Sequence, residues 1–105
     1  MRKIKMFCKR PDSPGYMTYI SDTLQNLQKN VGGYIETITI MGLGKDRDQT
    51  VVVICNEEGK LRGLPYNCKV LGEPIMGNFM ICGVDGEEFA DIPISIREVK
   101  EMLAE

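Results

Sequence analysis

Two asparagine-bearing turns are the part of this chain whose residue types could read a small polar ligand. One is Leu64-Pro65-Tyr66-Asn67, preceded by Asn56 and Arg62, and the other is Gly77-Asn78-Phe79. An asparagine amide sets a donor beside an acceptor, a pattern that pairs with the edge of a base or with ribose hydroxyls. Tyr66 and Phe79 offer rings for stacking, while Arg62, Lys69 or Arg97 could meet a phosphate. That constellation suits a nucleotide. The plainer alternative is that both aromatics belong to the core or its rim and that the asparagines only stabilise turns.

Catalytic signatures are missing. The chain has no histidine, no Gly-x-Ser-x-Gly, no Walker loop and no Gly-x-Gly-x-x-Gly on a strand-to-helix turn. Gly42-Leu43-Gly44-Lys45 resembles a phosphate loop only superficially, because a polar and then β-branched stretch follows it rather than a helix. Glu57-Glu58 and Glu87-Glu88 sit in turns, where solvated acidic tips explain them. A non-enzymatic protein without a cofactor is the expectation.

The four cysteines, Cys8, Cys55, Cys68 and Cys82, lack the close spacing of a zinc knuckle. Cys55 and Cys82 end the apolar runs VVVIC and FMIC, where a reduced thiol packs as a small hydrophobe. Cys68, between Asn67 and Lys69, is expected to be more exposed. Reduced, metal-free cysteines follow.

Thirteen basic and fifteen acidic residues leave a net charge of −2. That balance disfavours a nucleic-acid partner and falls short of a DNA mimic. MRKIKMFCKR at the amino terminus lacks the apolar stretch of a signal peptide, and no apolar run approaches the ~20 residues that cross a bilayer. The expectation is one cytoplasmic domain over residues 1–105 with no membrane partner.

The elements that must position these residues follow from period. Arg2 to Lys9 alternates Ile4, Met6 and Cys8 with lysines, and Tyr16 to Ile20 can pair back on it. Ser21 is the expected cap of a helix over Asp22 to Val31, with the stripe Leu24, Leu27 and Val31. Tyr34 to Met41 and the β-branched Val51 to Cys55 read as strands. The polar connection Gly42 to Thr50 between them reads as a hairpin tip. Glu57-Glu58-Gly59 should turn the chain so that Lys60-Leu61-Arg62 returns as a partner strand. Gly72-Glu73-Pro74 should turn, and Ile75 to Val84 gives a strand broken by Gly77. Asp85-Gly86 makes a tight hairpin, and Ser95 caps a last helix with the stripe Ile96, Val99 and Leu103. The fold class is α+β: a mostly antiparallel sheet with two helices packed on it.

CNEEGKLRGLPYN, with VGGYIE before it and GNFMICGVDGEEF after it, resembles a family of short uncharacterised domains of phages, plasmids and other mobile elements of Firmicutes. The shared core lies at Asn56 to Asn67, and the helix end at Val31 to Glu36. The loops Pro11 to Gly15 and Gly42 to Thr50 depart from the pattern. By analogy with small phage counter-defence proteins, the resemblance implies a sponge. Such a protein is a symmetric homo-oligomer that sequesters a cyclic nucleotide immune signal, for example the cyclic ADP-ribose isomers of Thoeris. The alternative is a counter-defence or regulatory protein that inhibits a host protein by direct binding. The aromatic and asparagine turns favour the first, and the polar loop Gly42 to Thr50 favours the second.

Overall fold

Val51 to Ile54 are β-branched because both of their faces are covered. In a computed structural model that describes residues 2–103, this run lies in β4 (Gln49–Asn56), between β3 (Ile35–Leu43) and β7 (Phe79–Asp85), antiparallel to both. Val51 and Val53 face one core, and Val52 and Ile54 face the other. Beyond β7 come β1 (Lys3–Lys9) and β2 (Tyr16–Ser21), so the sheet runs β2-β1-β7-β4-β3, and β8 (Glu88–Ala90) pairs with β7 after the Asp85 turn.

Helix α1 (Leu24–Val31) covers one face with Leu27 and Val31, against Ile4, Met6, Cys8, Met80 and Cys82. Helix α2 (Ile96–Leu103) covers the other with Val99 and Met102, beside a separate hairpin of β5 (Tyr66–Val70) and β6 (Glu73–Met76). The expected α+β class is what forms, with one helix on each face of the sheet. The apolar stripes are narrower than read: Leu24 is exposed, and Met102 is buried where Leu103 is only half-buried. Ser95 caps α2 as expected, its Oγ accepting from the Glu98 amide at 3.1 Å while the Glu98 carboxylate accepts from the Ser95 amide at 3.4 Å.

Four local expectations are corrected. Ser21 does not cap α1; it is the last residue of β2, paired with Lys3, and Thr23 is the cap, its Oγ1 accepting from the Asn26 amide at 3.2 Å. Lys60-Leu61-Arg62 is not a strand, because β3 and β7 already occupy both edges of β4. Residues 57–63 instead coil in turns closed by Arg62 N–H to Glu58 O at 2.8 Å and Leu64 N–H to Gly59 O at 3.0 Å. The β5–β6 turn is Leu71-Gly72, both at positive φ (47° and 86°), so Glu73 and Pro74 belong to β6. Ile75 to Val84 is divided between two sheets at Gly77-Asn78 rather than forming one broken strand.

The connection after Met41 also differs. β3 continues to Leu43 through an irregularity and Leu43 pairs with Gln49, so the loop is shorter than Gly42 to Thr50. No helix among the described residues is long and apolar enough to cross a membrane.

Candidate functional site

The end of β1, the start of β2, one face of α1 and the approach to β7 meet at one end of the sheet. Antiparallel pairing of β1 with both β2 and β7 brings Lys9, Tyr16 and Phe79 to that end. On α1, Asn26, Lys29 and Asn30 share a face by i, i+3 and i+4 spacing, while Leu27 and Val31 turn inward. These segments enclose a groove of ≈270 Å³, near the lower end of small-molecule sites, ~300 Å³. Lys9, Arg10, Tyr16, Asn26, Lys29, Asn30 and Asn78 line it, with Cys8 and Met80 from the α1-side core and Phe79 from the α2-side core beneath.

The groove is cationic. Lys9, Arg10 and Lys29 contribute three positive charges and no carboxylate lines it among the described residues. None of the three is in an ion pair with another described residue; the ion pairs formed by the described residues join Arg2 to Asp22 and Glu88, and Lys60 to Glu73. An anion entering here meets charge that no described carboxylate has neutralised.

The asparagines are aligned as acceptors. Asn26 Nδ2 donates to Ser21 O at 3.2 Å, Asn30 Nδ2 to Asn26 O at 2.8 Å, and Asn78 Nδ2 to Asn30 O at 3.1 Å. Each amide nitrogen is thereby tied to backbone. The three Oδ1 atoms make no hydrogen bond with other described residues, so they can accept from hydroxyls or amines of a ligand. Tyr16, about half exposed, supplies a ring at the rim. Cys8 offers no nucleophile: burial pushes its thiol up to about 11, so it stays protonated at neutral pH.

The asparagines and aromatics read from the sequence divide. Asn78 lines the groove as an acceptor, and Asn67 stands behind it, 8% exposed. Asn67 Oδ1 accepts from Lys9 Nζ at 2.8 Å, and its Nδ2 donates to Lys9 O at 3.1 Å and Gly77 O at 2.8 Å. It positions the groove rather than reading a ligand. Phe79 is 1% exposed and packs at 6.3 Å from Phe7, so it has no open face for stacking. Asn56 is buried too, its Nδ2 donating to Val31 O at 3.1 Å and its Oδ1 accepting from the Glu58 amide at 2.8 Å.

The rest lie outside the groove. Arg62 donates to Gly32 O at 3.0 Å and borders a second hollow of ≈410 Å³ with Tyr34, Gln25, Gln28 and Lys29, the last shared with the groove. Leu64 packs over Gly77, Pro65 O accepts from the Gly77 amide at 2.7 Å, and Tyr66 is half exposed on β5. Arg97 is exposed on α2, the helix of the opposite face. The residues that sequence reasoning missed are Lys9, Arg10, Tyr16, Asn26, Lys29 and Asn30. Only the i, i+3, i+4 polar face of α1 carried a signal for them.

The chain belongs to a family described as a domain of unknown function (DUF3846), which matches residues 4–104. No curated protein and no solved structure matches it.

Proposed function

We propose that this DUF3846 chain is a non-enzymatic binding protein that sequesters a small, phosphorylated, nucleotide-like signal, acting as a counter-defence sponge. The observation that carries the reading is the meeting of Lys9, Arg10 and Lys29 with three acceptor asparagines in a groove lined by no carboxylate among the described residues. The cations hold the phosphate. The Oδ1 atoms of Asn26, Asn30 and Asn78 take the hydrogens of ribose hydroxyls or an exocyclic amine, and Tyr16 stacks on the base. The phosphate role passes from Arg62 and Arg97 to Arg10 and Lys29, and the stacking role from Phe79 to Tyr16.

Calorimetry with cyclic nucleotides and cyclic ADP-ribose isomers tests this reading. A Kd below about 10 μM, worth ~7 kcal/mol, with the ligand recovered unchanged after heat denaturation, supports a sponge. Recovery of modified nucleotide rejects the non-enzymatic assignment.

The second reading, direct inhibition of a host protein, is favoured by Leu61 and Tyr34, which are 84% and 68% exposed. It takes over if none of these nucleotides binds below that threshold.

A further inference from the structure

The outer edge of β3 carries an inference independent of the groove. Among the described residues β3 is the last strand of the sheet and the longest, nine residues, bonded to β4 on one side and to no strand on the other. The backbone groups on its outer side therefore point away from the sheet and are open to pairing. Natural edge strands are usually blunted by lysine, proline, an inward charge or a bulge, and of these β3 has only an irregularity between Ile40 and Leu43. From Thr37 to Gly44, TITIMGLG, this edge carries no charge and no proline.

The side chains along the edge fit the same picture. Ile38, Ile40 and Leu43 are packed against the α2-side core yet only half-buried, and Met41 stands 74% exposed. A strand laid beside β3 would cover this apolar rim.

The charges at the two ends of the strand choose the occupant. Glu36 lies near the start of β3, and Lys45 follows its end. A second β3 running antiparallel brings Glu36 of each copy toward Lys45 of the partner subunit, whereas a parallel one sets like charges together. Antiparallel pairing of identical strands is also what a two-fold axis produces, and it closes after two copies. We propose that β3 pairs antiparallel with β3 of a second copy, joining two sheets into one across a two-fold dimer.

Light scattering on the full chain at about 100 μM tests the proposal, with circular dichroism to confirm that each variant is folded. The expected result is twice the chain mass of 11.8 kDa. Thr39→Lys, at an exposed edge position, should weaken the dimer at least about tenfold without loss of fold. The charge swap is the second arm: Glu36→Lys alone weakens the dimer, and adding Lys45→Glu restores it. A monomeric wild-type chain overturns the proposal. So does a folded Thr39→Lys variant that dimerises unchanged, a swap that fails to restore, or growth into open-ended assemblies, which would signal pairing of β3 with the β2 edge.

Discussion

Asn67 and Lys9, 58 positions apart in the chain, meet at 2.8 Å between Oδ1 and Nζ. The same amide donates to Lys9 O and to Gly77 O. One buried side chain thus ties the end of β1, the start of β5 and the turn before β7 together behind the cationic groove.

Asn67→Ala is expected to destabilise the fold by about 2–4 kcal/mol, because it leaves two carbonyls short of a donor and a lysine short of an acceptor. Urea unfolding measures it. A loss within ~0.5 kcal/mol would show that water replaces the amide.

Gly15, just before β2, packs its backbone against the core. A Cβ built there would fall on the Phe7 ring, which is fully buried against Phe79. Gly15→Ala should therefore cost about 1–3 kcal/mol through displacement of that ring. A melting temperature equal to the wild type would contradict it.

The groove's charges predict a specific pattern of binding loss. Arg10→Glu and Lys29→Glu should each weaken capture of a phosphorylated nucleotide by roughly tenfold to a hundredfold, the range of one charge-assisted contact. Arg62→Ala, in the neighbouring hollow, should leave affinity within about twofold. Lys29 borders both hollows, so calorimetry on Arg10→Glu and Arg62→Ala separates them, and equal losses from these two would show that the ligand spans both.

Burial pushes the Cys82 thiol up to about 12 from an ordinary value near 9. Between those values the unfolded chain releases this proton while the folded chain keeps it. Stability is thus whole below about pH 8.5 and falls as pH rises toward 12. Cys8 and Cys55, each raised to about 11 by burial, add in the same direction. Unfolding free energies from pH 8 to 10.5 should drop more steeply for the wild type than for Cys82→Ala. Parallel curves would refute the assignment.

Much of the fold was legible because it depends on neighbours in sequence. The β-branched run Val51 to Ile54, the Asp85-Gly86 turn and the Ser95-to-Glu98 capping box each state their conformation within a few residues. What failed had local merit and lost to a longer-range constraint. Lys60-Leu61-Arg62 could have been a strand, but both edges of β4 were taken; Ser21 could have been a cap, but β1 claimed it as a strand partner. The groove was less legible still. Lys9, Tyr16, Asn30 and Asn78 come from four segments, and only sheet pairing and the docking of α1 make them neighbours. Asn67 and Phe79 could be singled out from residue type, but whether an amide faces a ligand or a ring has an open face is set by burial. The sequence by itself therefore determined the periods, turns and caps, which arise from local sterics and hydrogen bonding. The tertiary structure alone decided which polar groups are consumed inside the protein and which are left to meet a ligand, because that depends on contacts dozens of residues apart.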